Sequence, residues 1–293
     1  MRAFSSLHPA VSMLHFAAVV AVGMFSTNPV IEVLSLAGGA LFCATLTSPE
    51  QKKKDAVFYV FMMLAVVITN PLFSHNGVTE LLFINGNPIT LESVIYGCYM
   101  AVTAASVMLW FKVFGEIMTS DKIVFLFGRL LPQISLVLSM AFRYVPLIKR
   151  QAVKVSRAQK AMGLYSSEKV VDRIRSAVSV ISVLIGWSLE NAVETAKSMK
   201  ARGYGLKGKT NYSDFRFTKT DFCFVFGCLF LLVITVSGMA IGKLDFYYYP
   251  SITAVPSDIY SLICYAAYGL LAFLPFTFES GEMIRWKYYK SRI

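Results

Sequence analysis

The 293 residues are 56% hydrophobic and only 15% charged, whereas a soluble domain carries about a quarter charged residues, so an ordinary soluble enzyme is excluded. Several uninterrupted apolar runs reach about 20 residues, the length that crosses a hydrocarbon core of about 30 Å, and the chain reads as a polytopic membrane protein. The net charge of +11 sits between these runs, as a positive excess on the cytoplasmic side of a membrane does, and this distribution argues against nucleic acid as a partner.

In chain order, the first apolar run covers about Pro9 to Phe25, and Asn28-Pro29 breaks it before a second run to about Leu46. Arg2 before the first run imitates a signal peptide, but no small-residue cleavage site followed by a soluble mature domain appears. Lys52-Lys53-Lys54 is expected to stay cytoplasmic, which places the N-terminus inside as well. A third run, Ala56 to Phe73, carries the chain outward. The segment Ser74 to Thr90 lacks Lys and Arg and holds Asn76-Gly77 and Asn85-Gly86-Asn87-Pro88, turn signals that make it the external loop. Leu91 to about Phe114 returns. Asp121 to Pro146 is apolar but punctuated by Arg129, Pro132 and Arg143, so it either spans or lies along the inner interface. Leu147 to Lys219 holds 15 of the 28 Lys and Arg residues. Phe222 to about Ile241 exits again, Tyr247-Tyr248-Tyr249 suits an interfacial aromatic belt, and Ile259 to Phe276 re-enters. Arg285, Lys287, Lys290 and Arg292 hold the C-terminus inside. About six spans result, with both termini cytoplasmic.

The five cysteines lie in apolar segments without a CxxC spacing and read as small buried hydrophobes; His8, His15 and His75 are scattered, so neither type suggests a metal site. Glu32, Glu92 and Glu116 fall near expected span ends and form no carboxylate pair, which gives an integral membrane enzyme little to work with. A self-contained secondary transporter would show an inverted repeat or broken helices around a polar midplane site. Asn70-Pro71 is the one candidate break, near the outer end of its span.

The basic section carries two helical patterns. Ile148, Ala152, Val155, Ala158 and Met162 recur at three- and four-residue steps, with Lys149, Arg150, Lys154, Arg157 and Lys160 on the opposite face. Gly163 stops this helix as a C′ residue does, and cations in the last turns suit its dipole. Ile174, Val178, Ile181, Ile185, Ala192, Ala196 and Met199 form the second stripe, and Gly203 ends it. Ala177 to Leu189 is apolar nearly all round and is expected to pack in the membrane or a bundle; Glu190, Glu194, Lys197 and Lys200 mark a half that emerges into water. The small residues Ala152, Ala158, Ala192 and Ala196 would let the two helices cross closely. Periodicity alone leaves two readings open, an ordinary basic loop or a pair of helices offered to a partner.

The endings carry a resemblance. Arg143-Tyr144-Val145-Pro146, then Arg157-Ala158-Gln159 with Ala161-Met162-Gly163, then Met199-Lys200-Ala201-Arg202-Gly203-Tyr204, resemble in order the Arg-Phe-Ile-Pro-like segment and the two Ala-Arg-Gly helix ends of the transmembrane T component of energy-coupling factor (ECF) vitamin and metal transporters, the family that includes the cobalt-transport Q-type permease. Leu7-His8-Pro9 resembles that family's start. The likeness runs along the whole chain and is specific from about Leu130 to Gly205. Two departures stand out: Met162 replaces the first motif's arginine, and Lys200 stands where an acidic residue is common. The first site therefore binds through Arg157 or Lys160, or by apolar insertion.

The resemblance implies an all-α membrane bundle in a prokaryotic cytoplasmic membrane, with two long crossing cytoplasmic coupling helices. It divides the chain into N-terminal spans (1–129), coupling helices (130–220) and a C-terminal hairpin with a basic tail (221–293). It implies two ABC-type ATPase subunits gripping Arg157, Lys160, Ala161, Met162, Gly163, Ala201, Arg202 and Gly203, with Arg143, Tyr144 and Pro146 as a structural segment. It also implies an S component that binds the substrate in the membrane. The chain is then no enzyme and holds no cofactor, ATP and Mg²⁺ belonging to the partner subunits. Gly203 to Thr210 matches GxxxxGK[ST] letter by letter, yet a phosphate cradle needs a strand before it and a helix after it, and a helix is expected before it here.

Overall fold

The computed structural model describes residues 4–74, 76–84, 87–163, 170–206 and 215–291. The expectations for Arg2, His75, Asn85-Gly86, the Lys207–Asp214 loop and Arg292 fall outside the described residues. The chain is an all-α, multi-pass membrane protein whose described helices are α1 (Pro9–Phe25), α2 (Pro29–Leu46), α3 (Pro49–Phe73), α4 (Leu91–Ile117), α5 (Ser120–Leu130), α6 (Pro132–Ala161), α7 (Val170–Ala201), α8 (Lys219–Ala240) and α9 (Ile259–Lys290). It divides into two compact units, Met1–Thr119 with Phe215–Ile293, and Ser120–Asp214.

The helix starts follow local chemistry. Pro29, Pro49 and Pro132 occupy first-turn positions, where the missing N–H costs nothing. Asn28, read as a break, is the N-cap of α2: its side chain accepts the Val30 N–H at 3.0 Å and donates to Tyr265 Oη at 2.7 Å and the Leu244 carbonyl at 3.1 Å. At α8, Thr218 and Asp221 form a reciprocal capping box. Asp221 Oδ1 also accepts the His8 N–H at 2.9 Å, so the Leu7-His8-Pro9 start is tied to the first turn of α8.

Six helices, α2, α3, α4, α7, α8 and α9, are long and apolar enough to cross a membrane. They differ from the six runs read in the sequence. The α1 helix has 17 residues and falls among the shorter apolar helices, while α7 joins the set because Ala177 to Leu189 supplies an apolar stretch. Asp121 to Pro146 is not one span: α5 ends at Leu130, α6 starts at Pro132, and neither is among the six. The loop after α3 holds a short antiparallel hairpin, β1 (Glu80–Ile84) and β2 (Asn87–Thr90), pairing Leu82 with Ile89 and Ile84 with Asn87.

The core of the first unit joins the two ends of the chain. Phe4 is fully buried, its ring edge-on to Phe16, Phe42 and Phe224 at 6.1, 5.4 and 5.7 Å. Its N–H donates to Glu279 Oε2 of α9 at 2.9 Å. Around it lie Val19, Ile31, Trp110, Ile117, Cys228, Tyr268 and Leu271. Gly38 lets α2 touch α9, since a Cβ there would meet the Ala272 carbonyl oxygen at 2.8 Å. Cys43, Cys228 and Cys264 are buried as expected, whereas Cys98 and Cys223 are exposed; all five are free. Tyr248 likewise leaves the expected belt for the interior, packing on Phe246 and Tyr99 with centroids 4.7 and 5.0 Å apart.

Candidate functional site

The second unit holds the basic helices. α5 folds back on the start of α6, where Ser135 Oγ donates to the Val124 carbonyl at 3.0 Å, and a Cβ on Gly128 would meet that hydroxyl at 2.9 Å. α6 then pairs with α7. Tyr144 Oη lies 2.7 Å from Thr195 Oγ1, and Gln159 Nε2 donates to Ser179 Oγ at 3.0 Å, so the pair runs antiparallel.

The face that α7 turns inward is not the apolar stripe. Ile174, Val178, Ile181, Ile185, Ala192 and Ala196 are exposed, while Ser176 is buried and Val180, Leu184, Trp187, Asn191, Thr195 and Met199 are half-buried. Ala158 of α6 is exposed too. The predicted small-residue crossing at Ala158, Ala192 and Ala196 is therefore replaced by polar contacts from Tyr144 and Gln159. Where a helix keeps its apolar face for lipid or another chain, polar side chains specify its pairing. Gln159, Ser179, Asn191 and Thr195 were the positions that apolar periodicity missed; the signal for them was the polar repeat Ser176, Asn191, Thr195 within an apolar helix.

Both helices end in the same way. Gly163 has φ +80° and donates its N–H to the Lys160 carbonyl at 3.0 Å; Gly203 has φ +81° and donates to the Lys200 carbonyl at 3.0 Å. At the second end the Tyr204 N–H also reaches the Met199 carbonyl at 3.0 Å, which completes a Schellman motif. The equivalence is therefore residue by residue: Lys160-Ala161-Met162-Gly163 matches Lys200-Ala201-Arg202-Gly203, with Met162 and Arg202 both at the C-cap. Met162 is 70% exposed, and Arg157, Lys160, Ala161, Gly163, Ala201 and Arg202 are exposed as well. Extending the antiparallel register at 1.5 Å per residue separates the two ends by roughly 40 Å. The structure brings Tyr144 to α7, leaves Arg143 and Pro146 exposed on α6, and keeps the two motifs apart.

The glycine-rich stretch after Arg202 begins at a helix end rather than a strand end, which is not the approach a phosphate cradle requires. Between α6 and α7 lies an apolar groove of about 360 Å³ lined by Ile148, Ile181, Leu184, Ile185, Ser188 and Leu189. Among the described residues no group of three or more His, Cys, Asp or Glu is placed to hold a metal ion.

Residues 3–212 match the family model described as CbiQ, cobalt transport protein. Curated proteins named energy-coupling factor transporter transmembrane protein EcfT are similar as well. The one from Listeria innocua serovar 6a is 32% identical over 109 residues, 36% of this chain and 39% of that protein. The one from Thermotoga maritima is 33% identical over 108 residues, 36% of this chain and 40% of that protein. The one from Bacillus subtilis is 31% identical over 91 residues, 30% of this chain and 34% of that protein. The matched stretch thus spans about two fifths or less of each relative's length. With the family model matching well over half of its residues, the chain belongs to the CbiQ cobalt transport protein family.

Proposed function

We propose that this chain is the energy-coupling transmembrane component of an ECF-type ABC importer. It passes motion driven by ATP from two cytoplasmic ABC-type ATPase subunits to a membrane S component, for uptake of a vitamin, another micronutrient or a metal ion. The observation that carries this reading is the pair of matching, exposed helix ends, each closed by a positive-φ glycine, about 40 Å apart on one antiparallel pair. Two separated grips suit two copies of one partner, and a rigid pair can convert their closure into a tilt.

At the second end, the Arg202 guanidinium at the C-cap can make bidentate bonds to carboxylates in a groove. At the first end, Met162 stands in the same place with no charge, flanked by Arg157 and Lys160. Its grip is apolar insertion rimmed by cations, since a 70% exposed methionine at a helix tip offers a flexible thioether to a groove. Arg143, Tyr144 and Pro146 support the pair rather than the grip, Tyr144 through Thr195. The chain itself is non-catalytic, and ATP and Mg²⁺ bind to the ATPase subunits. The cation-free loop after α3 faces outward, and both termini face the cytoplasm.

The test is Arg202→Glu in the assembled transporter. It should weaken capture of the ATPase subunits about tenfold or more, because a charge-assisted pair becomes a repulsion, and abolish uptake. Met162→Ala should be milder. Unchanged assembly and uptake in Arg202→Glu would refute the assignment.

A further inference from the structure

Glu32, in the first turn of α2, is fully buried in the first unit. Ser106 Oγ of α4 lies 3.2 Å from its Oε2. Its Oε1 has no hydrogen-bond partner among the described residues and lies 3.5 Å from the point a side chain on Gly23 of α1 would occupy.

Counting protons around this carboxyl decides its state. A hydroxyl has one proton to give. Ser106 Oγ can donate to Glu32 Oε2 at 3.2 Å or to the Thr103 carbonyl at 2.9 Å, and its one proton follows the shorter contact; Thr103 directs its own to the Tyr99 carbonyl at 3.0 Å. Tyr268 donates to the Val19 carbonyl at 3.3 Å, and Trp110 Nε1–H is taken by Ser35, 3.1 Å from its Oγ and 3.2 Å from its carbonyl. An ionised carboxylate here would find the Ser35 hydroxyl as the one neighbouring donor not already committed, and no cation, at a burial depth where unpaired charge is prohibitive. A proton on Oε2 resolves the count. Glu32 then donates to Ser106, and Ser106 to the Thr103 carbonyl, in an unbroken relay.

The second oxygen has a site of its own. Glu32 Oε1, Ser35 Oγ and Tyr268 Oη stand 3.5, 3.8 and 3.8 Å from the Gly23 Cβ position, so three oxygens and no carbon are the nearest neighbours of that space. Such a polar cradle suits one water with two to four partners. It does not suit a cation, because the Trp110 N–H already points at Ser35 in the same cluster. The titratable groups that face Glu32 from the surrounding elements are tyrosines, Tyr99 of α4, Tyr268 of α9 and Tyr248 before α9, and none of the ion pairs among the described residues includes it. We propose that Glu32, Ser106 and the oxygens around Gly23 form a buried proton-and-water site, in which Glu32 is a neutral carboxylic acid bonded to Ser106 and one water bridges Oε1, Ser35 and Tyr268. The site joins α1, α2, α4 and α9 without placing a charge in the membrane.

The full chain in lipid nanodiscs, examined by infrared spectroscopy at neutral pH, should show the carbonyl band of a protonated carboxylic acid, lost in Glu32→Gln. Ser106→Ala, which removes the acceptor of the acid proton, should move the band to higher frequency, and this variant carries the assignment should Glu32→Gln fail to fold. Gly23→Ala places a methyl group in the cradle at ordinary contact distances and should also raise the frequency by displacing the water from Oε1. Tyr268→Phe, which removes one of the water's partners, provides the same test on a second residue. A missing acid band in the unaltered chain overturns the proton, and a band unmoved by both Gly23→Ala and Tyr268→Phe overturns the water.

Discussion

Substitutions at Gly203 separate the shape of the second helix end from its charge. The glycine sits at φ +81°, a left-handed conformation that costs an L-residue about 1–2 kcal/mol. A Cβ there would also meet Leu206 Cδ1 at 3.1 Å, so the leucine must give way by a few tenths of an ångström. Gly203→Asn should be nearly neutral, because asparagine tolerates this region. Gly203→Ala should carry about 1 kcal/mol, and Gly203→Val, with a stiff β-branched side chain, about 2 kcal/mol. The helix end can escape that strain by unwinding, which breaks the Gly203 N–H bond to Lys200 and the Tyr204 N–H bond to Met199 and moves Arg202. If partner subunits bind only the wound form, 2 kcal/mol lowers their apparent affinity about 30-fold. The assay is a binding titration of purified ATPase subunits against the chain in nanodiscs, with ATP-dependent uptake measured in parallel. Gly163, at φ +80° with no atom of the described residues outside its own helix and chain neighbours within 4 Å of its Cβ position, is the internal control: its valine variant should carry chiefly the backbone strain. Equal affinities for the asparagine and valine variants of Gly203 would refute the argument that the turn presents Arg202.

Three further outcomes are expected. Gly38→Ala forces a Cβ to 2.8 Å from a backbone oxygen of Ala272, which cannot swing aside, and should destabilise the first unit by about 1–3 kcal/mol, read as a lowered Tm; an unchanged Tm would show that α2 and α9 part freely. With Cys98 and Cys223 replaced by serine because both are exposed, a cysteine at Asn76 should react with an impermeant reagent from outside and one at Lys53 should not; reversed labelling would invert the topology. Lys209→Ala should leave uptake by the assembled complex nearly intact, since in the proposed reading nucleotide is held by the ATPase subunits, whereas abolished uptake would revive a phosphate-binding role for that loop.

The helix ends were legible in the sequence because their chemistry is local. Asn28-Pro29, Gly163 and Gly203 mark a start and two stops through caps and backbone conformation, and those requirements hold in any solvent. Which face turns inward was not legible, because apolar periodicity reports burial only when the alternative is water. In α3, Phe58, Phe61, Leu64 and Ile68 are exposed, and in lipid that is no contradiction. The interior is marked instead by groups that lipid cannot satisfy: Ser12, His15, Glu32, Ser35, Ser93, Ser106, Thr235 and Ser261 are all buried. Read that way, Ser176, Asn191 and Thr195 would have identified the inward face of α7, and Glu32 would have stood out as a core residue rather than a span end.

The two helix ends extend this reasoning to a residue the fold leaves undetermined. Lysine, alanine and glycine recur at matching positions of both ends, and glycine at C′ is required by the turn itself. The C-cap residue is the one that changes, Met162 at one end and Arg202 at the other, and both side chains are exposed. Neither the turn nor the α6–α7 contacts at Tyr144 and Gln159 distinguish methionine from arginine there. A difference that the chain's own packing does not demand is left for the partner to demand. Under the proposed coupling role, the grooves that receive the two ends need not be equivalent, even where two copies of one ATPase provide them: one would offer carboxylates to a guanidinium, and the other an apolar floor to a thioether.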